Sequence, residues 1–283
     1  MNTLESAVRR AKHGLGLSSG SLLVRAVRPA YDSLLNVVYG RAGIERKIHG
    51  EPPFRLRPQY RAVGEDFEPT VFAALKSGAH PGGVVLDIGA NVGMYSMLLA
   101  QWVGESGRVY AFEPAPEPLH ALRDHVTLNN LSDRIEVIGE AVSDASGEAT
   151  FYAHTANGEN SLNPEYARRV TAAEAVRVPV TTIDDFCLRR EIKPTMLKMD
   201  IEGFEFHALR GASETLSQYR PTVIIELHPH IWPEIDFTRE QADAILKELG
   251  CEAVPLETQA DPLAEVGHVI LKYLSSSPPA SAC

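Results

Sequence analysis

The chain has few cysteines and no excess of positive charge, and each of these absences excludes a class of protein. Its three cysteines, Cys187, Cys251 and Cys283, are too far apart in sequence to suggest a disulfide framework or a zinc site. We therefore expect a protein of the reducing cytoplasm. Asp and Glu (37) outnumber Lys and Arg (27), and the net charge is −10. A broad nucleic-acid-binding surface needs clustered Lys and Arg, so we predict no nucleic-acid partner.

The sequence also lacks a long uninterrupted apolar run, which predicts that no segment spans a membrane. No apolar signal-peptide core follows Arg9, Arg10 and Lys12. The stretch 21–39 is amphipathic, which favours a helix that packs on the domain; a membrane surface is the weaker alternative, and the helix could also mediate a homodimer. We predict that residues 1–60 form a helical leader and a Pro-rich connector.

From residue 84 onward, short apolar runs alternate with segments of helical period. The runs are 84–88, 109–112, 135–138, 196–199, 223–227 and 269–274, and the helical segments are 94–102, 116–129, 204–217 and 238–249. This alternation predicts an α/β fold, with a mostly parallel sheet covered by helices on both faces. Residues 141–182 interrupt it with two strand-like runs, 149–152 and 176–182, which we interpret as an insertion or an antiparallel excursion. We expect one domain over 61–274 and a disordered tail over 275–283.

A glycine-containing loop follows the first of these apolar runs. It reads Asp87-Ile88-Gly89-Ala90-Asn91-Val92-Gly93 and leads directly into a predicted helix. Glycines let the backbone turn sharply and let a ligand approach the main chain closely. We therefore predict that Asp87, Gly89, Asn91 and Gly93 contribute to a cofactor site.

A carboxylate at the end of the next apolar run indicates which cofactor the loop binds. Glu113 lies 20 residues after Gly93, at the distance expected for an acidic residue that accepts hydrogen bonds from ribose hydroxyls, and Pro114 follows it. Dinucleotide-binding loops favour the spacing Gly-x-Gly-x-x-Gly, whereas this loop has Gly-x-x-x-Gly. A negative charge at Asp87 suits an ammonium and a sulfonium better than a pyrophosphate. The cofactor that these features favour is S-adenosylmethionine.

Two further segments are candidates for the same site. The loop after the third apolar run contains Glu140 and Ala141, whose main-chain groups could bind the edge of the adenine. The acidic segment 65–69 could fold over the amino-acid end of the cofactor, or could simply place negative charge at the start of a helix.

Several motifs together resemble the FkbM family of methyltransferases. The resemblance covers about residues 65 to 230 and includes the glycine loop, Ala111-Phe112-Glu113-Pro114, and the segment Leu197-Lys198-Met199-Asp200-Ile201-Glu202-Gly203-Phe204-Glu205. It continues through Leu209-Arg210-Gly211-Ala212, Tyr219-Arg220-Pro221 and Ile225-Glu226-Leu227-His228-Pro229. The resemblance implies a class I, Rossmann-like fold with a seven-stranded sheet, S-adenosylmethionine as the methyl donor, and O-methylation of hydroxyls on sugars or polyketide-type natural products.

Polar side chains follow two neighbouring apolar runs near the predicted binding edge. Asp200 and Glu202 come after the run 196–199, and Glu226 and His228 end the run 223–227. Methyl transfer to a hydroxyl requires positioning of the acceptor and removal of its proton. We predict Asp200, Glu202 and His228 as catalytic residues, with His228 attractive as a base because a histidine ordinarily titrates near neutrality. Asp200 is also expected at the cofactor.

The same side chains allow a second mechanism. Asp200, Glu226 and His228 could hold a divalent cation such as Mg²⁺, which would lower the pKa of an acceptor hydroxyl. A buried Glu–His contact without a catalytic role is the third interpretation of the pair at 226 and 228. The sequence does not decide between these three interpretations.

We therefore predict an O-methyltransferase that acts on a hydroxylated small molecule. The alternatives are an N-methyltransferase for a small molecule and a binding module that retains S-adenosylmethionine without turnover. Asp200, Glu202 and His228 argue against the binding module, since it would not need them.

Overall fold

The computed structural model of the protein describes residues 22–153, 162 and 174–274. Helix α1 (Leu22–Tyr39) is followed by the strands β1 (Ile44–Arg46) and β2 (Phe54–Leu56), which pair in an antiparallel hairpin, and by a 3₁₀ turn (Pro58–Tyr60). The expected connector is therefore structured. Phe54 and Leu56 are buried in one of the two main cores, because β2 packs against a helix of the central domain.

A seven-stranded sheet forms the centre of the molecule and confirms the expected α/β fold. Its strand order is β11-β12-β10-β9-β3-β4-β5, and β12 alone runs antiparallel to its neighbours. The strands are β3 (Val84–Ile88), β4 (Arg108–Phe112), β5 (Ile135–Ile138), β9 (Met196–Met199), β10 (Thr222–Leu227), β11 (Cys251–Pro255) and β12 (Gly267–Tyr273). The central strands β3 and β9 are adjacent, so the loops that follow them meet at one edge of the sheet.

Helices connect the strands, as the helical periods predict. They are α2 (Pro69–Gly78), α3 (Met94–Val103), α4 (Pro116–Leu128), α5 (Ile183–Arg190), α6 (Glu205–Arg210), α7 (Ser213–Tyr219) and α8 (Arg239–Glu248), with a second 3₁₀ turn at Trp232–Ile235. Buried apolar side chains form two large clusters, which is the burial expected when helices cover both faces of a parallel sheet.

The segment after β5 forms a small sheet of its own. Strands β7 (Gly147–Ala153) and β8 (Glu174–Thr181) pair antiparallel, and the two-residue strand β6 (Ala141–Val142) pairs with β8. The antiparallel excursion predicted for residues 141–182 is thus present. It packs apolar side chains such as Phe151 against the start of α4.

Three features of the sheet and its helices differ from the sequence prediction, and the first is helix α5, which lies in none of the predicted helical segments. The helix predicted over 204–217 is two helices, because the carboxylate of Asp184 accepts hydrogen bonds from the backbone N–H groups of Glu214 and Thr215 and so begins a new helix there. Strand β11 was missed, because Cys251–Pro255 is an edge strand with only one fully buried residue and carries no apolar run.

Some predictions lie outside the described residues. These are the part of the leader before residue 22 and the disordered tail over 275–283. No helix in the described part of the chain is long and apolar enough to cross a bilayer.

Candidate active site

The glycine loop between β3 and α3 is held in a tight, partly left-handed conformation. Gly89, Asn91 and Gly93 have φ angles of +77°, +51° and +88°. The N–H groups of Gly89 and Ala90 both donate to the carbonyl oxygen of Phe112, at 3.0 and 2.8 Å, which ties the loop to the end of β4. A Cβ on Gly89 would lie 1.8 Å from the carbonyl oxygen of Asp200. Only glycine therefore lets the loops after β3 and β9 approach this closely.

Glu113 anchors the same loop from the end of β4. Its Oε2 accepts a hydrogen bond from the N–H of Asn91 at 2.8 Å, and its Oε1 accepts one from the N–H of Ala115 at 2.8 Å. Burial raises the pKa of Glu113 to about 7, although these two backbone donors favour the ionised form. A buried carboxylate is thus fixed in one orientation beside the loop.

A cleft opens over this edge of the sheet. Most of the predicted cofactor residues line it: Gly89, Asn91, Glu113, Pro114, Glu140, Ala141 and Asp200. Its other walls are Ile88, Phe112, Val142, Phe151, Leu162, Ile201, Glu202 and Phe204. Gly93 is not among the residues of this lining, and a Cβ there would meet Leu122.

Asp87 lies beneath the cleft, fully buried. Ser96 donates a hydrogen bond to its Oδ2, and the ammonium group of Lys198 lies 3.8 Å from its Oδ1. Lys198 is itself buried and also lies 3.7 Å from Oδ2 of Asp200. Lys198 thus pairs with two acidic neighbours, and the carboxyl group of Asp87 faces this lysine.

Tyr95, at the start of α3, extends this buried network. The Nζ of Lys198 lies 5.7 Å from the centre of the Tyr95 ring. The Tyr95 hydroxyl donates a hydrogen bond to Oε2 of Glu68 at 2.6 Å. Burial and the contact with Glu68 both raise the pKa of Tyr95. Glu68 precedes α2, so the acidic segment 65–69 does begin a helix and also reaches this network.

A second group of charged side chains surrounds the imidazole of His228. Its Nε2 lies 3.6 Å from Glu202, 3.9 Å from Glu226 and 4.0 Å from Asp200. The structure thus brings together all four side chains that the sequence predicts for catalysis or metal binding. They reach this point from the ends of two adjacent strands, β9 and β10.

The other ring nitrogen of His228 contacts Glu205, which is fully buried. His228 Nδ1 and Glu205 Oε1 are 2.9 Å apart, and the same oxygen accepts a hydrogen bond from the N–H of Gly203. Burial alone would lower the pKa of His228, but Glu205, Glu202 and Asp200 raise it to about 10. The imidazole is therefore protonated at neutral pH. The expectation that it titrates near neutrality is wrong, since four carboxylates surround it.

Glu226 lies between two histidines. Its Oε1 faces His228, and its Oε2 lies 3.4 Å from Nε2 of His268, the residue opposite it on β12. Burial and the charge of Asp200 raise the pKa of Glu226 to about 7, although His228 opposes the change. This carboxyl group can therefore take up or release a proton close to neutral pH.

One oxygen from each of Asp200 and Glu226 and one nitrogen from His228 lie within 4.8 Å of one another. This spacing would allow the three to converge on a single cation. A cation would have to displace the proton from Nε2 of His228, and Glu205 on the far side of the ring would then hold the imidazole as metal-binding histidines are commonly held.

Several residues of this site were not predicted from the sequence. Glu205, Tyr95, Ser96 and His268 were not assigned to the site. One signal was available for Glu205, its spacing of three residues from Glu202. No local pattern marks the other three, because their partners are remote in sequence.

Comparison with known proteins indicates the family of this chain. A family model described as "Methyltransferase FkbM domain" matches residues 87–253. The chain is 29% identical over 211 residues to the 31-O-demethyl-FK506 methyltransferase FkbM of Streptomyces tacrolimicus, covering 65% of this chain and 76% of that protein. It is 27% identical over 186 residues to the hexuronic acid methyltransferase AglP of Haloferax volcanii, covering 63% and 70%.

A solved structure, methyltransferase FkbM from Methylobacillus flagellatus KT, is 20% identical, with a TM-score of 0.45. It matches 69% of this chain, which spans 44% of that protein. The family model covers more than half of the chain, from the glycine loop through both strands that carry the charged side chains. On that match, the chain belongs to the FkbM family of methyltransferases.

Proposed function

We propose that this protein is an S-adenosylmethionine-dependent O-methyltransferase that acts on a hydroxyl group of a sugar or a polyketide-type natural product. The observation that carries the proposal is the cleft with Glu113 on one wall and Asp200 and Glu202 on the other. The names of the two relatives, a 31-O-demethyl-FK506 methyltransferase and a hexuronic acid methyltransferase, support this class of acceptor.

The residues of the cleft fit S-adenosylmethionine. Glu113 could accept hydrogen bonds from ribose hydroxyls through its remaining lone pairs, and Phe112, Val142 and Phe151 offer apolar walls for the adenine. Asp200 and Glu202 add negative charge, which favours a positively charged ligand. When bound, S-adenosylmethionine supplies an electrophilic methyl group.

The charged group around His228 would remove the proton from the acceptor hydroxyl. Asp200 and Glu202 line the cleft, so their oxygens could hold that hydroxyl for an in-line attack. His228 is already protonated at neutral pH, whereas Glu226 has a pKa of about 7. We infer that the group accepts one proton near neutrality, with Glu226 as its final position and His228 holding the carboxylates together.

Metal assistance is the second candidate mechanism. It is favoured by the convergence of Asp200, Glu226 and His228 and by the contact of Glu205 with the far side of the imidazole. Two carboxylates and one imidazole suit Mn²⁺ or Zn²⁺ as well as Mg²⁺, which prefers oxygen ligands and water. A cation at this position would lower the pKa of a bound hydroxyl, so that solvent water could accept its proton.

The test is turnover of S-adenosylmethionine by the purified full chain with a panel of hydroxylated sugars and polyketides, and with amines as the contrasting acceptors. We expect methylation of a hydroxyl. Methylation of amines alone would contradict the O-methyltransferase assignment, and binding without any turnover would favour a binding module.

The same assay separates the two mechanisms. Turnover that survives dialysis against a chelator would exclude the metal mechanism. Turnover that is lost on chelation and restored by Mg²⁺ or Mn²⁺ would exclude the metal-free proton transfer.

A further inference from the structure

Helix α1 carries a stripe of apolar side chains that are exposed among the residues the structure describes. Seven large apolar side chains are exposed in the described part of the chain, and four of them, Val27, Leu34, Val37 and Val38, lie on this helix. Val37 is 84% exposed. At their spacing along the helix, the four side chains lie on one side of it. The polar residues Ser33 and Asn36 lie on another exposed side, so the exposed surface of the helix is amphipathic.

A different face of α1 attaches the helix to the protein. Leu35 is fully buried, Asp32 forms an ion pair with Arg61, and Arg61 lies over the ring of Tyr31 at 5.4 Å. The helix therefore packs on the segment around the first 3₁₀ turn through one face, and the apolar stripe points elsewhere.

The segment that contains this stripe is rich in positive charge, although the protein as a whole is acidic. The whole chain has a net charge of −10, yet residues 22–61 contain eight Arg and Lys against three Asp and Glu. Arg41, Lys47 and Arg55 are exposed. Arg55 lies beside the turn that follows α1, where its Cβ is 3.1 Å from the position that a Cβ on Gly43 would take.

This combination points to one partner. An amphipathic helix with an exposed apolar face and nearby basic residues lies in the interface of an anionic bilayer, where apolar burial and attraction to the lipid headgroups act together. A second copy of the chain would fit less well. A two-fold symmetric contact through the stripe would bring two positively charged segments together.

We propose that α1 and the basic segment after it bind reversibly to the surface of an anionic membrane. The stripe spans about three turns of a single helix, so the attachment is peripheral and sensitive to salt. The inference is independent of the proposed function, because it uses none of the residues of the cleft.

The test is co-sedimentation of the full chain with vesicles of phosphatidylcholine and phosphatidylglycerol, compared with phosphatidylcholine alone. We expect binding to the anionic vesicles and little to the neutral ones. The double variant Leu34→Gln/Val37→Gln should lower the partition coefficient roughly tenfold or more. The matched control Leu188→Gln/Val266→Gln changes two exposed apolar side chains elsewhere and should bind like the wild type.

The electrostatic part is tested in the same experiment. Arg41→Gln/Arg55→Gln should weaken binding, Lys193→Gln should not, and added salt should weaken binding of the wild type. All of these side chains are exposed, so each variant should keep the thermal unfolding temperature of the wild type.

Three results would overturn the proposal. The first is a wild type that fails to bind anionic vesicles. The second is binding that the Leu34→Gln/Val37→Gln variant retains. The third is a dimer of the wild type, measured by analytical ultracentrifugation without vesicles, that this variant dissociates, because the stripe would then be covered by a second copy.

Discussion

The two sides of the cleft are built in different ways. On the glycine-loop side, which comprises the loops after β3, β4 and β5, the backbone shapes the site and Glu113 is held by two backbone N–H groups. On the acidic side, which comprises Asp200, Glu202, Glu205, Glu226 and His228, charged side chains form the site and depend on one another. We therefore expect the glycine-loop side to keep its conformation when one charged residue is substituted. On the acidic side, a single substitution should change the pKa values of the remaining side chains.

The two sides are joined at one seam. Gly89 of the glycine loop lies close to the carbonyl oxygen of Asp200. Lys198 lies between Asp87 and Asp200, and its ammonium group is also 3.4 Å from the carbonyl oxygen of Gly89. Substitutions at the seam should therefore affect both sides together, and substitutions on one side should affect that side alone.

The largest effect is expected for Gly89→Ala. The new Cβ would overlap the carbonyl of Asp200 in a backbone with φ of +77°, so we expect a loss of stability of roughly 3 kcal/mol or more. Cofactor affinity and turnover should both fall about 100-fold or more, since the two loops must separate. Thermal unfolding, calorimetric titration with S-adenosylmethionine and the methylation assay measure these effects.

Gly250→Ala is the matched control for this prediction. Gly250 has a φ of +63° but no atom within 4 Å of the added Cβ, so only backbone strain of about 1–2 kcal/mol applies. Equal losses of stability in the two variants would contradict the close approach at Gly89.

Lys198→Met should have the next largest effect. It leaves the buried Asp87 and the partly buried Asp200 without their shared cation, which should cost about 3 kcal/mol of stability. Because Lys198 contacts both sides, cofactor affinity and turnover should fall together. The exposed Lys193→Met is the control. Unchanged cofactor affinity in Lys198→Met would show that the two sides are independent of each other.

Glu205→Gln should affect the acidic side alone. The glutamine keeps a hydrogen-bonding group beside His228 but removes the charge, so the pKa of His228 should fall below its present value of about 10. We expect kcat to fall roughly 100-fold while the affinity for S-adenosylmethionine stays the same. Nuclear magnetic resonance titration of the imidazole and steady-state kinetics test this.

The exposed Glu105→Gln serves as the control for Glu205→Gln. If Glu205→Gln weakened cofactor binding as much as turnover, Glu205 would have to be assigned to the fold of the whole cleft rather than to His228.

The smallest effect is expected for Glu113→Gln, on the glycine-loop side. Loss of the carboxylate should weaken cofactor binding about tenfold and leave the pKa of His228 unchanged. In the wild type, cofactor affinity should rise with pH as Glu113 ionises around pH 7.

Stability should have the opposite pH dependence at this residue. The pKa of Glu113 is higher in the folded protein than in the unfolded chain, so its contribution is fully present at acidic pH and is lost as the pH rises through about 7. Glu113→Gln should remove this part of both profiles, measured by titration and by thermal unfolding across pH 5 to 9. A pH profile of cofactor affinity that the variant leaves unaltered would contradict the role of Glu113.

The sequence allowed much of the glycine-loop side to be predicted. Gly89, Asn91, Glu113, Pro114, Glu140 and Ala141 were all predicted for the cofactor and all line the cleft. They could be identified because each lies at or just after the end of an apolar run, and the ends of neighbouring parallel strands meet at one edge. On the acidic side, Asp200, Glu202, Glu226 and His228 were predicted because they also follow strands, whereas Glu205 and the contacts among the five side chains were not.

The sequence by itself determined the alternation of strands and helices, the position of the glycine loop and the strand ends where charged residues emerge. These features depend on contacts between residues that are close along the chain. The tertiary structure alone decided that Lys198 lies beside Gly89, which is 109 residues away, and that Glu205 holds His228, which is 23 residues away. The charge states in the site follow from those long-range contacts, because burial and neighbouring charges, and not residue type, set the pKa values of Glu113, Glu226 and His228.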